Sequence, residues 1–77
     1  MDIDTDKIDA AILALLQLTL HDGNRAWKNY DWDTLARLHA KGLIANPVNR
    51  AQSLALTEAG LAESERLFKE LFSRSRL

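Results

Sequence analysis

The first third of the sequence is more apolar than a helix on a protein surface usually is. Its apolar residues recur at helical spacing and then extend around the helix: Ile8, Ile12, Leu13, Leu15, Leu16, Leu18 and Leu20. A helix that is apolar around most of its circumference must be covered on two sides, by its own domain or by a partner. Residues 10–20, the longest apolar stretch, are interrupted by Gln17 and Thr19 and are too few to cross a bilayer, which takes about 20 residues. We therefore predict a buried helix from residue 4 or 5 to residue 21 or 22.

The rest of the chain offers little material with which to cover such a helix. With 77 residues and no cysteine, the chain is predicted to form one domain, residues 1–77, that depends on packing or self-association for its stability. Ten basic and eleven acidic side chains give a net charge of −1, whereas proteins that coat DNA are usually far more basic. Residues 1–6 are acidic, unlike a secretory signal. We therefore expect a cytoplasmic protein.

The middle of the chain is predicted to continue as helix. Residues 24–30 have room for a short second helix, which Asn24 would cap. Asp31 is placed to cap a third helix, and Gly42 supplies the left-handed residue at which helices commonly stop. Three helices are therefore predicted before Gly42.

After Gly42 the hydrophobic spacing changes from the period of helices to that of strands. Residues 43–45 and 53–56 are predicted as two short strands around a turn at residues 46–50. Thr57 would cap a last helix, and residues 73–77 are expected to fray. The predicted fold is mainly α with a small β-hairpin. It is winged-helix-like, with three N-terminal helices, a two-stranded wing and a C-terminal helix.

Two segments of the second half resemble MarR-type winged-helix regulators. They are Leu-Ala-Arg-Leu-His-Ala-Lys-Gly-Leu-Ile at residues 35–44 and Leu-Ala-Leu-Thr-Glu-Ala-Gly at residues 54–60. In those regulators the recognition helix ends in Lys-Gly-Leu-Ile, a hairpin follows, and Leu-Thr-Glu-x-Gly opens the next helix. The resemblance implies a winged-helix fold, DNA as a candidate partner and pairing through terminal helices.

The whole chain is also similar to a family of short bacterial proteins that carry a domain of unknown function. The shared features are the leucine-rich first helix, Arg25-Ala26-Trp27-Lys28, Asp31-Trp32-Asp33 and the Leu-Thr-Glu element. This similarity spans nearly the whole chain and implies no particular activity.

A set of basic and amide residues could contact nucleic acid: Lys28, Arg37, Lys41, Asn49 and Arg50. Arg37 and Lys41 lie four positions apart, on one side of the third helix. Cations there would neutralise phosphates and release counterions. The alternative is that these residues are ordinarily solvated, with Arg37 paired to Asp33 on the helix surface. The first functional hypothesis is a small winged-helix-like regulatory protein that binds DNA.

Three aromatic residues in the middle of the chain, Trp27, Tyr30 and Trp32, allow two interpretations. They could form a platform on which bases or another ligand stack. Large aromatic side chains also supply much of the buried area that a small core needs. The sequence favours packing in the core.

The rival hypothesis is a protein–protein interaction module, in the form of a homodimer, that does not bind nucleic acid. The first and last helices carry more apolar surface than so short a chain can cover. Two-fold dimers are the commonest soluble assemblies. The predicted dimer contact consists of Ile12, Leu16, Leu61, Phe68, Leu71 and Phe72.

The sequence contains no pattern typical of catalysis. The serines have no nucleophile-elbow motif around them, and no glycine-rich loop is placed to hold a phosphate. His21 and His39, the two imidazoles, match no metal-ligand spacing. We expect a protein that is not an enzyme, with no catalytic residues, no cofactor, no metal and no membrane partner.

Overall fold

The computed structural model describes residues 1–74, which form three α-helices, a short 3₁₀ helix and two strands. In chain order these are α1 (Thr5–Leu15), the 3₁₀ helix (Leu16–Thr19), β1 (Arg25–Trp27), α2 (Trp32–Ala40), β2 (Ser53–Ala55) and α3 (Glu58–Phe72). The expected fraying of residues 73–77 concerns in part residues 75–77, which lie outside the described residues.

Helix α1 begins where predicted and ends earlier. The Asp4 carboxylate caps it by accepting a hydrogen bond from the backbone N–H of Lys7 at 3.1 Å. The α-helix ends at Leu15, so the prediction that it continues to residue 21 or 22 is wrong. The backbones of His21 and Arg25 exchange two hydrogen bonds of 2.8 and 3.0 Å. This pairing, with a positive φ of 84° at Gly23, turns the chain into β1 and is incompatible with further helix.

Strand β1 replaces the short helix predicted over residues 24–30. It pairs antiparallel with β2, with Cα partners Arg25 and Ala55, Ala26 and Leu54, and Trp27 and Ser53. Ala26 and Leu54 are buried in the core. Arg25 and Trp27 lie on the opposite face, because successive side chains of a strand alternate. The helix prediction is wrong because burying Ala26 against a distant strand outweighs the weak local preference of so short a segment.

The winged-helix prediction is wrong in its order of elements and in the pairing of its strands. A strand rather than a second helix follows α1, and the sheet joins β1 to β2 across α2. Residues 43–45, predicted as the first strand of a wing, contribute a bridge between Ile44 and Leu56 and a hydrogen bond from the Ala45 N–H to the Ala55 carbonyl at 2.9 Å. Because β2 pairs mainly with β1, the turn at residues 46–50 is not the tip of an independent hairpin.

Helix α2 starts and stops as the sequence predicted. The Asp31 carboxylate caps its N-terminus by accepting from the Thr34 N–H at 3.0 Å. At the other end Gly42 has a φ of 76°. The N–H of Leu43 donates to the Leu38 carbonyl at 3.0 Å, and the N–H of Gly42 donates to the His39 carbonyl at 2.9 Å. These two bonds form a Schellman stop.

Helix α3 packs against α1 and touches the backbone that leaves α2. Thr57 caps it by accepting from the Gly60 N–H at 3.0 Å, as predicted. Gly60 lies against the Leu43 carbonyl so closely that a side chain there would overlap it. One turn further on, the buried Ser64 hydroxyl donates to the Leu13 carbonyl of α1 at 2.6 Å. Small residues at positions 60 and 64 therefore let α3 approach its neighbours closely.

The core lies between the sheet and the three helices. Its buried apolar members are Leu13, Leu16, Ala26, Leu35, Leu38, Ile44, Leu54 and Leu56. Every element except α3 contributes to this cluster, and α3 adds the partly buried Leu61 and Leu67 at its margin. The described residues thus share one continuous core.

Substituting Gly60 with alanine should destabilise the domain strongly, although Gly→Ala within a helix normally stabilises by about 0.5–1 kcal/mol. A Cβ on Gly60 would lie 1.8 Å from the Leu43 carbonyl oxygen. Because α3 would have to move, we expect a loss of about 3 kcal/mol, the upper end of the usual range for overpacking. A Cβ on Gly42 meets open space but a φ of 76°, so Gly42→Ala should cost about 1 kcal/mol. Urea unfolding measures both free energies.

Ala59→Gly, on the exposed side of the same turn of α3, is the matched control and should cost about 0.5–1 kcal/mol. If Gly60→Ala costs no more than Ala59→Gly, the close contact with Leu43 does not hold α3 in place.

Candidate functional site

Asp9 is a buried carboxylate at the junction of α1 and α2, with 1% of its surface exposed. Its oxygens accept hydrogen bonds from Arg37 Nε at 2.8 and 3.0 Å and from Lys41 Nζ at 2.9 Å. Arg37 and Lys41 lie one turn apart on α2, so both reach the same carboxylate. A buried charge is tolerated when it is paired and hydrogen-bonded in this way. We call Asp9, Arg37 and Lys41 the ionic clamp, because they fasten α2 to α1.

The clamp contains two of the residues predicted to contact nucleic acid. Arg37 points to Asp9 of α1 rather than to Asp33 of its own helix. Lys41 also donates to the exposed Asp6 at 3.0 Å. Hydrogen bonds to Asp9, and then to Asp6, raise the pKa of Lys41 above its ordinary value. Carboxylates of α1 therefore form ion pairs with both Arg37 and Lys41.

The other three predicted residues lie elsewhere, beside a cleft. Lys28 Nζ donates to Asn49 Oδ1 at 2.8 Å and to the Asn49 carbonyl at 3.4 Å. The same ammonium lies 6.0 Å from the centre of the Trp32 ring. Arg50 follows Asn49 and is exposed. The structure thus brings Lys28 and Asn49 together, next to Arg50, and separates them from the ionic clamp.

The cleft between the end of β1 and the start of α2 has aromatic walls. It has a volume of about 520 Å³ and is lined by Trp27, Lys28, Asn29, Trp32, Asn49, Ala51 and Gln52. Trp27 and Trp32 are 43% and 58% exposed, and the His21 ring stacks on Trp27 with 4.5 Å between centroids. The interpretation that the three aromatic residues pack in the core is wrong for both tryptophans. Tyr30 is half-buried and packs against the core.

The residues predicted for a dimer contact differ in their exposure. Leu16 is fully buried within its own chain, and Ile12 and Leu61 pack partly against the core. Phe68 is half-buried and meets Phe72 edge to face, with 5.6 Å between centroids. Leu71 and Phe72 are each about half exposed. The C-terminal half of α3 is therefore where predicted contact residues reach the surface.

Sequence reasoning missed the roles of Asp9 and Arg25. Asp9 is not among the residues singled out from the sequence, yet its carboxylate pairs with two cations of a different helix. Arg25 donates to the Ser53 hydroxyl at 2.8 Å and to the Ser53 carbonyl at 3.0 Å, across the sheet. A usable signal for Asp9 was present: Asp6 and Asp9 on one helix match Arg37 and Lys41, at nearly the same spacing, on another.

Both histidine rings contact backbone carbonyl groups. The Nδ1 atoms of His21 and His39 lie 2.7 Å and 3.1 Å from the backbone carbonyls of Thr19 and Ile44. Within residues 1–74, no three histidine, aspartate or glutamate side chains are grouped so that they could hold a metal ion. Nor does that part of the chain contain a helix long and apolar enough to span a membrane.

Fold and site together define a small helical domain with a non-local two-stranded sheet, an ionic clamp and an aromatic cleft. The chain belongs to the family described as "Domain of unknown function (DUF6429)", whose model matches residues 4–74. It is 60% identical over 74 residues to "Uncharacterized protein y4hR" of Sinorhizobium fredii (strain NBRC 101917 / NGR234), which covers 96% of this chain and 100% of that protein. No solved structure matches the chain. The predicted membership in a family of uncharacterised bacterial proteins is confirmed.

Replacing Asp9 with asparagine should destabilise the domain by about 3 kcal/mol. This is the lower end of the range for removing one partner of a buried ion pair, because Arg37 and Lys41 keep 32% and 39% of their side chains exposed. Asp6→Asn is the matched control. Its side chain is 86% exposed, so its loss should cost less than about 1 kcal/mol. Equal losses in urea unfolding would contradict the clamp.

The raised pKa of Lys41 predicts a loss of stability in strong base. The folded state holds the Lys41 proton more tightly than the unfolded state, where the pKa is near its ordinary value of 10.5. The stabilisation is complete below that value and is lost as the pH rises through the raised pKa of the folded state. Unfolding free energies should therefore fall more steeply in the wild type than in Lys41→Met between about pH 9 and pH 12. Parallel curves would show that Lys41 contributes no such linkage.

Proposed function

We propose that this domain is a protein–protein interaction module that self-associates as a homodimer through α1 and α3. The observation that carries the proposal is the apolar surface at the C-terminal end of α3. Leu71 and Phe72 are 48% and 47% exposed, and Phe68 lies beside them. Exposed apolar residues that are contiguous, rather than scattered singly, mark interaction sites. We call Phe68, Leu71 and Phe72 the α3 patch.

The shape of the domain supports an unpartnered side on α1 as well. The Cα atoms span 46 × 37 × 19 Å, and the shortest extent accommodates about two layers of elements, because packed helices lie about 8–10 Å apart. α1 therefore keeps a side that no third layer covers. Ile8 is exposed there, and Ile12 is half-buried one turn further on. These two residues give α1 an apolar strip on its open side, which supports a contact there.

The charges around the α3 patch favour a second copy of the chain as the partner. Glu65 pairs with Lys69 at 3.2 Å and Arg66 pairs with Glu70 at 2.7 Å, each within the helix. Arg66 also pairs with Glu63 at 2.5 Å, so two basic groups offset most of the charge of three acidic groups on this part of α3. Two copies can therefore approach face to face with little repulsion, as a symmetric contact requires.

The other predicted function, DNA binding by a small regulatory protein, receives less support from the geometry. Arg37 and Lys41 are engaged by carboxylates in the ionic clamp. Asp31 caps α2, and Asp33 lies in its first turn. Both carboxylates would repel phosphates at the end that a recognition helix usually presents to DNA. Regulation of transcription and a cytoplasmic location stay predictions.

Sedimentation tests the homodimer. We expect the wild-type chain to be dimeric at micromolar concentration and to show a melting temperature that rises with protein concentration. Leu71→Asp combined with Phe72→Asp should give a monomer, because two charges would have to be buried in the contact. Both residues are about half exposed in the single chain, so circular dichroism should show that the monomer stays folded.

Val48→Asp is the matched control, because Val48 is 76% exposed and belongs to the turn at residues 46–50, outside α1 and α3. It should leave the dimer intact. A wild-type chain that stays monomeric at about 100 μM would contradict the proposal, because association would then be weaker than about −5.5 kcal/mol.

A further inference from the structure

We propose that the cleft lined by Trp27, Lys28 and Trp32 binds single-stranded nucleic acid, with bases stacked on the two indoles and a phosphate beside Lys28. This inference is independent of the proposed homodimer, because the cleft and the α3 patch lie on different elements. It rests on three features of the cleft: aromatic surfaces left open to solvent, a cation whose hydrogen-bond partners are uncharged, and a rim of side-chain amides.

The two tryptophans are held as open stacking surfaces. Trp27 belongs to β1, and its backbone N–H donates to the Thr19 hydroxyl at 3.1 Å, which fixes the strand beneath it. His21 stacks on Trp27, so that indole is supported on one side. Trp32 begins α2 and is 58% exposed. Exposing two indoles to water is unfavourable in a small domain with a thin core, and a stacked base would cover either one.

The Lys28 ammonium of the cleft differs from four cations of the second and third helices. Arg37 and Lys41 are paired to carboxylates, and so are Arg66 and Lys69 of α3. Lys28, in contrast, donates to the side chain and backbone of Asn49. Among residues 1–74, no salt bridge joins Lys28 to a carboxylate. Its positive charge, held in place by an uncharged partner, is complementary to a phosphate.

Arg25 extends this positive surface along the sheet. It shares a strand face with Trp27, because the two residues are two positions apart in β1. Its guanidinium donates to the hydroxyl and carbonyl of Ser53, which are also uncharged. Arg25 and Lys28, two cations with neutral partners, therefore flank Trp27 in the sequence.

Nearby carboxylates limit how a strand can lie in the cleft. Asp31 precedes Trp32, and its carboxylate accepts from the Thr34 hydroxyl at 2.8 Å and the Thr34 N–H at 3.0 Å. These bonds lower the pKa of Asp31, so it is ionised at neutral pH. Asp33 follows Trp32 and is exposed. The phosphates must therefore lie near Lys28 and away from Asp33. A base on Trp32 would share that ring with the Lys28 ammonium, which lies 6.0 Å from the ring centre.

A single strand suits this arrangement better than a duplex or a peptide. The bases of a duplex are stacked on one another, so their faces cannot reach Trp27 and Trp32. A neutral proline-rich peptide can use aromatic walls, but it leaves the charge of Lys28 without a counter-charge. The amides of Asn29 and Gln52, which also line the cleft, can both donate to and accept from base edges.

The test is titration of the full chain at low salt with oligothymidylate and, in a second arm, oligouridylate of about 12 nucleotides. Trp27 and Trp32 are the two tryptophans of the sequence, so quenching of intrinsic fluorescence reports stacking in the cleft directly. Comparing the two arms shows whether DNA or RNA is preferred. A duplex of equal length should bind more weakly than the single strand.

Matched variants separate stacking from charge. Trp32→Ala should weaken binding at least about fivefold, the equivalent of about 1 kcal/mol of stacking. Trp32→Phe keeps an aromatic face and should stay within about twofold of the wild type. Lys28→Met should reduce the slope of log affinity against log salt by about 0.7, the value for one phosphate of a single strand. Lys28→Arg should keep the wild-type slope.

Three results would overturn the inference. One is the absence of quenching by either oligonucleotide at low salt. Another is binding that Trp32→Ala and Lys28→Met leave unchanged. The third is quenching by a proline-rich peptide with none by the oligonucleotides, which would assign the cleft to an extended protein segment.

Discussion

A single buried carboxylate determines how the two halves of the domain meet. The Asp9 carboxylate is buried, and a buried carboxylate must be paired and hydrogen-bonded. Its two partners, Arg37 and Lys41, both come from α2. These ion pairs fix the rotation of α2 about its axis. Arg37 and Lys41 face α1, and Leu35 and Leu38 are buried in the core. The N-terminal end of the same helix is then directed to the sheet, where Trp32 forms one wall of the cleft. The packing of α2 against α1 and the shape of the cleft thus depend on the same orientation of α2.

Features encoded by a few neighbouring residues could be predicted from the sequence. The caps at Asp31 and Thr57 and the glycine stop at Gly42 depend on local backbone geometry, and all three are present. Strand β1 could not be predicted in this way, because its stability comes from pairing with residues far along the chain. Arg25, for example, bonds Ser53, 28 positions later. Residues 24–30, taken alone, are compatible with a short helix, and they are identified as a strand only when the distant partner is known.

The candidate site could be predicted in its residue types but not in its grouping. Lys28 and Asn49 were singled out and do meet at 2.8 Å, whereas Arg37 and Lys41, taken to belong with them, are drawn to Asp9. The tryptophans were assigned to the core because of their size, yet alternation along β1 places Trp27 outside and the helix cap at Asp31 holds Trp32 at the surface. Tertiary pairing determines which side of a helix or strand faces the core. This orientation cannot be derived from the spacing of residues in the sequence alone.

The placement of β1 and β2 on either side of α2 has a consequence for how the chain folds. Closing this sheet requires a loop that contains the whole of α2, and that entropy must be lost before the three pairs of the ladder form. Neither half can therefore act as an autonomous folding unit. The amide protons of Lys28 and Leu56, which bridge the sheet to Gln52 and Asn24, become reporters of the whole molecule: their exchange with solvent follows global opening rather than fraying at either end.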